Sequence, residues 1–147
     1  MITDMFKITV KGDKAVLNNL KRKGQGFNNV MKAAVRTAGL QVENAAKVNC
    51  PAKTGNLRRS IMSTDYQIGN KYIARITPDK DVADYAVYVE VGHSQQPGRY
   101  VPAIGKRLVA SWVEGRWYMA RTGIQMKSRI ENNLKTAFRR AMVEIYV

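Results

Sequence analysis

The residues that could carry acid–base or metal chemistry are few in this sequence. His93 is the single histidine and Cys50 the single cysteine. A zinc site of the common type or a histidine-based triad needs several such residues together, and here the partners are missing. We therefore expect His93, which follows Gly92, to be a solvent-facing loop residue. Cys50, which precedes Pro51, is expected to be a buried structural thiol.

Carboxylates offer two further arrangements. Asp79, Asp81 and Asp84 lie close together without the glycine and terminal glutamate of a calcium loop, which favours a solvated turn. Glu90 lies inside an apolar run and is expected to be a paired charge at a sheet edge or subunit contact, because a buried carboxylate needs a partner. Acid–base work with a second carboxylate stays open, although no residue is identified as that partner. The chain also has no phosphate loop or dinucleotide fingerprint, so we predict no enzyme, no metal and no cofactor.

The charge is the anomaly of the composition. Lys and Arg number 25 against 11 Asp and Glu, a net charge of +14, and the surplus lies in residues 1–50 (+6) and 101–147 (+6). Such a surplus indicates an anionic partner, which the sequence leaves open as nucleic acid, a membrane surface or an acidic protein. Trp112 and Trp117 lie among basic residues and would stack on bases only if exposed, whereas core packing explains most tryptophans.

The patterns of the first half predict a strand, helices and a hairpin. Alternation predicts a strand over Phe6–Lys11, and apolar residues at three- and four-residue spacing predict a helix over Lys14–Lys23 and a longer one from Phe27 to Pro51. Pro51 ends this helix. Strands are predicted over Arg58–Gln67 and Lys71–Thr77, joined at Gly69-Asn70.

The second half is less regular until its end. Tyr85–Val91 suits either a strand or a helix, residues 93–104 are predicted as a loop, and Lys106–Glu114 as a strand. Met119–Tyr146 is predicted as a helix with Ile124 in its core-facing stripe. The fold class is therefore α+β: one domain over residues 1–147, with an antiparallel β-sheet packed against a long N-terminal-half helix and a C-terminal helix.

Two segments carry a family resemblance. AAKVNCPAKTGNLRRSI (45–61) and DYAVYVEVG (84–92), in this order, resemble the tail-completion or head–tail joining family of tailed bacteriophages, as does the opening FKITVKGDKAVLNNLKR. The matching motif positions are Pro51, Thr54, Gly55, Leu57, Arg58, Ser60, Tyr85, Glu90 and Gly92. The chain departs from the family at Cys50 and His93 and in residues 94–118, which are longer and more aromatic than usual.

The first motif also has a physical interpretation. After Pro51, Thr54-Gly55 makes a tight turn with Gly55 free to take positive φ. Leu57 and Ile61 then anchor the new strand, while Arg58 and Arg59 stay at its surface. Nothing in this arrangement demands catalysis, so the motif is predicted to be a structural corner.

The resemblance implies a virion protein of the neck or tail, assembled in the host cytoplasm. It implies a homo-oligomeric ring, commonly a hexamer, between the head-closure or connector protein and the tail-tube or tail-terminator protein. Double-stranded DNA would pass transiently through the lumen. Contacts to that DNA or to partners are expected from Arg58, Arg59, Arg99, Lys106 and Arg107. No stretch approaches the roughly 20 apolar residues that span a bilayer, so no membrane partner is expected.

Two rival functions remain at this stage. The charge alone suits a small basic nucleic-acid-binding regulatory protein, which would bind DNA or RNA tightly and with steep salt dependence. The acidic residues Asp79 and Asp81 together with Glu90 suit a small hydrolase or nuclease.

Overall fold

The fold is given by a computed structural model that describes residues 6–11, 24–51 and 55–146. The predicted helix over Lys14–Lys23 and the motif residue Thr54 lie outside these residues. In chain order the elements are β1 (Phe6–Lys11), α1 (Gln25–Asn49), α2 (Asn56–Ser60), β2 (Ile61–Ile68), β3 (Lys71–Pro78), α3 (Ala86–Val91), β4 (Gly92–Ser94), β5 (Tyr100–Val101), a 3-10 turn (Pro102–Ile104), β6 (Lys106–Arg107), β7 (Trp112–Glu114) and α4 (Tyr118–Tyr146). The predicted α+β class is confirmed.

The main sheet is antiparallel, with strand order β1-β3-β2. β2 and β3 form the predicted hairpin, closed at Ile68↔Lys71 around Gly69, whose φ of 55° is the left-handed conformation that such tight turns favour. β1 pairs with the other edge of β3, from Phe6↔Ile76 to Lys11↔Lys71. β3 is therefore the central strand, and Ala74 and Ile76 on it are fully buried.

Helix α1 lies between the sheet and α4. Its buried positions recur at helical spacing and include Met31, Val35, Ala38, Val42 and Ala46. Polar contacts fix its place on the sheet: Glu43 Oε2 accepts the Ser63 N–H at 2.7 Å, and the Tyr72 hydroxyl donates to Asn28 Oδ1 at 2.8 Å. The helix ends where predicted, because Cys50 takes an extended ψ of 130° before Pro51.

Helix α4 runs antiparallel to α1. The end of α1 meets the start of α4, where Asn49 Nδ2 donates to Thr122 Oγ1 at 2.9 Å. The start of α1 meets the later part of α4, where the rings of Phe27 and Phe138 pack edge to face with centroids 5.7 Å apart. None of the helices in the described part of the chain combines the length and apolarity needed to cross a bilayer.

Three predictions about strands and loops were wrong, as was the place of Ile124 in the core-facing stripe. The strand expected from Arg58 begins only at Ile61, because Gly55 starts a short helix first. The predicted strand Lys106–Glu114 is two short strands separated by irregular chain, and the predicted loop contains β4 and β5. Ile124 is 80% exposed, since it lies two residues beyond the buried Thr122 and so points to another side of the helix.

Residues Gly92–Glu114 form a narrow two-stranded projection that we call the arm. β4 pairs with β7 at its base, and β5 pairs with β6 towards its tip. Between these pairs the ladder continues through the Gln95 N–H bond to Ser111 O at 2.9 Å and the Gly98 N–H bond to Leu108 O at 2.8 Å. The ambiguous segment before the arm, Tyr85–Val91, is a helix.

The close approach of α1 to the sheet gives a first prediction. A Cβ at Gly39 would lie 2.8 Å from Ala74 Cβ and even closer to Ser63 Oγ, so Gly39→Ala is expected to lower the free energy of unfolding by about 1–3 kcal/mol. Gly26→Ala, in the first turn of the same helix with nothing within 4 Å, is the control and should be neutral or slightly stabilising. Urea denaturation measures both, and equal effects would contradict the packing.

Candidate functional site: a groove between the two motifs

The corner after α1 is built by one glycine and a buried leucine. Gly55 has φ 79°, as predicted, and leads into α2. Leu57 and Ile61 are buried and anchor the segment, whereas Arg58 and Arg59 are exposed, also as predicted. The buried Ser60 connects the corner to the core.

Ser60 holds the corner together through two hydrogen bonds. Its hydroxyl donates to Leu57 O at 2.7 Å, which satisfies a carbonyl at the end of α2. Its own carbonyl accepts the Asp79 N–H at 2.8 Å and so joins the corner to the chain that follows β3. Arg58 and Ser60 therefore belong to a helical turn, and not to the strand in which the sequence had placed them.

The second motif forms α3 and ends at a position that only a glycine can occupy. Tyr85 precedes the helix and is 37% exposed, while Ala86 and Glu90 are buried on its inner face. Gly92 has φ 87°, and a Cβ there would overlap the Val113 carbonyl oxygen and lie 2.9 Å from Gly115 N. The glycine thus lets α3 pack directly against the returning strand of the arm.

Glu90 caps the final helix. Its Oε2 accepts the Met119 N–H and its Oε1 the Ala120 N–H, both at 3.0 Å. The first amides of a helix have no partner within the helix, and the helix dipole favours a negative charge at this end. The expected partner of the Glu90 carboxylate is therefore the α4 backbone.

Backbone contacts reinforce this junction. The Trp117 N–H donates to the Glu90 carbonyl at 3.0 Å, and the Arg116 N–H donates to the Val89 carbonyl at 2.7 Å. Trp117 takes φ 52°, a conformation uncommon for a large side chain. Gly115 passes so close to α3 that a Cβ on it would lie 2.7 Å from Gly92 N.

The two motifs meet on the surface in one apolar groove of about 480 Å³. The corner contributes Pro51, Gly55 and Leu57 to its lining, and α3 contributes Tyr85, Tyr88 and Val89. The base of the arm and the residues after it supply His93, Val113, Glu114 and Arg116. Four of the predicted motif positions thus line the groove, and Ser60, Glu90 and Gly92 are buried next to those that do.

His93 differs from the expectation. It lies in β4, is only partly exposed, and packs its ring edge to face on Tyr88 with centroids 5.8 Å apart. Its Nδ1 is buried without a hydrogen-bond partner among the described residues. The apolar environment of the groove, which no sequence motif announced, accounts for this position.

The part of the chain that contains both motifs matches a known protein family. The model of the HK97-gp10-like family, described as a bacteriophage HK97-gp10 tail component, matches residues 14–92. The chain belongs to this family. No curated protein and no solved structure shows significant similarity to it. The family match covers both motifs and ends at Gly92, where the arm begins.

In this tail-component chain the predicted basic contacts fall into two groups. Arg58 and Arg59 are exposed on α2, and an Arg59 guanidinium nitrogen donates to Asn56 Oδ1. Arg99, Lys106 and Arg107 are exposed on the arm, where Arg107 Nη1 donates to Gly98 O at 2.7 Å. The two groups lie on separate elements, one on α2 at the corner after α1 and one towards the tip of the arm.

The tryptophans of the tail-component chain are not core residues. Trp112 is 48% exposed and Trp117 is 47% exposed, so core packing does not explain them. The acidic residues are solvated as predicted: Asp81 and Asp84 are exposed, and Asp79 Oδ1 accepts the Asp81 N–H at 2.9 Å within a turn. In the part of the chain that the structure describes, no three His, Cys, Asp or Glu residues are placed to hold a metal ion.

Burial raises the pKa of both Cys50 and Tyr118. Burial raises the pKa of the Cys50 thiol, which the nearby Arg58 cation partly offsets, so the thiol is the buried structural one that was predicted. Burial also raises the pKa of Tyr118, with a smaller contribution from the Cys50 and Glu90 charges. The Tyr118 hydroxyl has no hydrogen-bond partner among the described residues.

The cap gives a second prediction. Glu90→Ala removes the acceptors of the buried Met119 amide and the partly buried Ala120 amide, and is expected to lower the free energy of unfolding by about 2–3 kcal/mol. Glu90→Gln keeps one acceptor without the charge and should cost less. Glu114→Gln, an exposed carboxylate on β7, is the control and should stay within about 0.5 kcal/mol. Hydrogen exchange should accelerate at Met119 and Ala120 only in the Glu90 variants; unchanged exchange there would refute the cap.

Two tyrosines give a third prediction, with opposite signs. Tyr118→Phe removes a buried hydroxyl without a partner and should stabilise the fold by about 1 kcal/mol at pH 7, whereas Tyr72→Phe loses the bond to Asn28 and should cost about 1 kcal/mol. Because the pKa of Tyr118 is raised above its ordinary 10.0, the folded state binds the Tyr118 proton more tightly than the unfolded chain does. Ionisation of Tyr118 therefore leaves the free energy of unfolding unchanged below pH 10 and lowers it as pH rises beyond 10. Denaturation at pH 7–11 should therefore show a shallower alkaline loss in Tyr118→Phe, and a destabilised Tyr118→Phe would contradict the unpartnered hydroxyl.

Proposed function

We propose that this tail component forms a homo-oligomeric ring, a hexamer, in the neck of a tailed phage. The ring joins the tail to the head connector on one side and to the tail tube or its terminator on the other, and lets double-stranded DNA pass. The family establishes the tail-related structural role. The observation that carries the finer proposal is the groove, because it gathers the motif residues into an exposed apolar surface.

The groove suits a protein partner. Tyr88 is 58% exposed at its wall, and Tyr85 stands beside it. Exposed apolar surface rimmed by polar residues is typical of protein–protein contacts, and aromatic residues are enriched at the centre of such contacts. A ring made from one kind of chain needs a heterologous contact, in which one surface meets a different surface of the neighbour. The groove supplies one of these two surfaces.

The charge supports the passage of DNA. The exposed side of α4 is basic, with Arg121, Lys127, Arg129, Lys135, Arg139 and Arg140 all exposed. Contacts between such side chains and phosphates are independent of base sequence and weaken with salt, which suits DNA that must move through a lumen. We assign α4 and the basic residues at the corner to the surfaces that tolerate DNA.

A structural role is also proposed over a catalytic one. Both oxygens of Glu90 are occupied by backbone amides of α4, so this carboxylate is committed to holding a helix. The hydrolase hypothesis relied on that carboxylate together with Asp79 and Asp81, which lie in a solvated turn. The regulatory hypothesis relied on charge alone, and no observed contact adds to it.

Ring formation gives the fourth prediction. The purified chain, alone or on its connector partner, should form closed rings with a central hole in negative-stain images. Tyr88→Ser should weaken assembly by about tenfold or more, since a buried aromatic at such a contact contributes at least about 1–2 kcal/mol. Ile68→Ser is the control, because Ile68 is 60% exposed at the β2–β3 hairpin and does not line the groove.

Location decides between the proposal and its rival. Cryo-microscopy of particles that carry the chain should place it between head and tail. A chain abundant in the infected cell but absent from purified particles would reject the neck role. Tight binding of the free chain to DNA, with a steep loss of affinity as salt is raised, would then favour the regulatory protein.

A further inference from the structure

The arm exposes large apolar side chains that nothing in the described structure buries. Val109 is 90% exposed, Ile104 54% and Tyr100 53%. Beyond its base, β5 and β6 have each other as their principal neighbours within the described structure. A two-stranded hairpin is marginally stable at best in water, and both its edges offer unpaired backbone groups. A second surface is therefore needed to bury these side chains.

The arm beyond its base is also basic. Arg99, Lys106 and Arg107 are exposed near its tip, and residues 92–113 contain no Asp or Glu. A surface that covers the arm must therefore accept apolar side chains and offer negative charge beside them. A DNA backbone would meet the second requirement only, and would leave the three most exposed apolar side chains in water.

The chain itself carries a surface with both properties. The groove is apolar, and the acidic turn immediately precedes its wall residue Tyr85. Asp81 and Asp84 in this turn are exposed, and neither forms an ion pair with a described residue. Three of the 11 acidic residues of the chain lie within residues 79–84, so this turn stands out on a strongly basic molecule.

A copy cannot place its own tip in its own groove without opening the arm. His93 and Val113 at the base of the arm line the groove, and the hydrogen-bonded ladder runs on from them. From Gly92 to the 3-10 turn at Pro102 the chain advances ten residues, which in an extended ladder separates tip and groove by up to roughly 30 Å. The groove that a tip can reach is that of a neighbour.

We propose that the arm of each copy docks on the groove of the next copy in the ring. Ile104 at the tip and Val109 about midway along the arm cover the exposed tyrosines of the neighbour's groove. Lys106 and Arg107 face Asp81 and Asp84 of the neighbour. This inference rests on the proposed ring and supplies its second, different surface. Because the family match ends at Gly92, the arm lies outside the matched family region.

Charge reversal tests the docking in the intact chain. Asp81→Lys with Asp84→Lys, or Lys106→Glu with Arg107→Glu, should each weaken assembly by about tenfold, as two surface ion pairs are replaced by repulsions. The chain that carries all four changes should recover assembly, because the pairs are restored with reversed sign. Lys32→Glu with Arg36→Glu, two exposed cations on α1, is the matched control and should have little effect. Circular dichroism confirms that each variant is folded.

A disulfide trap tests the contact directly. In a Cys50→Ala background, chains with Ile104→Cys are mixed with chains carrying Tyr88→Cys under mild oxidation. A linked dimer that forms in the mixture, and more slowly in either variant alone, is the expected result.

The outcomes separate the two proposals. Rings that form normally in the arm and turn variants, without the cross-link, would overturn the docking and leave the ring standing. Arm variants that lose DNA binding while assembling normally would also overturn it and make the arm a nucleic-acid contact. A parent chain that forms no ring, alone or on its connector, and is missing from particles would remove the proposed function itself.

Discussion

The Glu90 carboxylate accepts two hydrogen bonds from the first amides of α4, and this contact fixes the start of the C-terminal helix against α3. Both oxygens have hydrogen-bond partners, and these bonds offset the cost of removing the carboxylate from water. The α3 backbone adds two more bonds to the chain that enters α4. The end of one short helix thus meets the start of the longest one, so that the negative end of one helix dipole lies near the positive end of the other.

The groove is a consequence of that junction. The Glu90 cap holds α3 against the start of α4, and the glycines at 92 and 115 let the arm cross at backbone contact distance. The corner after α1 reaches the same place because Leu57 and Ser60 tie it to the core. The groove is therefore built from three segments of the chain, and hydrogen bonds and buried side chains hold each of them in place. We expect such a surface to be rigid. Rigidity of this kind lowers the entropic cost of binding a neighbour.

The regular elements were the predictable part of the fold. α1, β1, β3 and α4 have long periodic patterns, and the sequence placed their ends to within two residues. The corner at Gly55 was also foreseen, because proline and glycine restrict the backbone locally. Short segments were less predictable: Tyr85–Val91 fits both a strand and a helix by pattern, and only its contact with α4 selects the helix. Ile124 was assigned to the core because apolar character alone does not report the phase of a helix against its neighbours.

The site divides in the same way. The motif positions from Pro51 to Gly92 could be named from the sequence, since they belong to recognisable local patterns that a family shares. Their convergence on one groove could not, because it depends on contacts between residues far apart in the sequence. Glu90 and Met119, for example, are 29 residues apart. The sequence by itself determined the two long helices, the hairpin, the corner and the basic character, all of which depend on local conformational preference and composition. The tertiary structure decided that Glu90 caps a helix, that His93 enters the groove wall and that residues 92–114 project as an arm, because each of these depends on which distant backbone groups come within hydrogen-bonding distance.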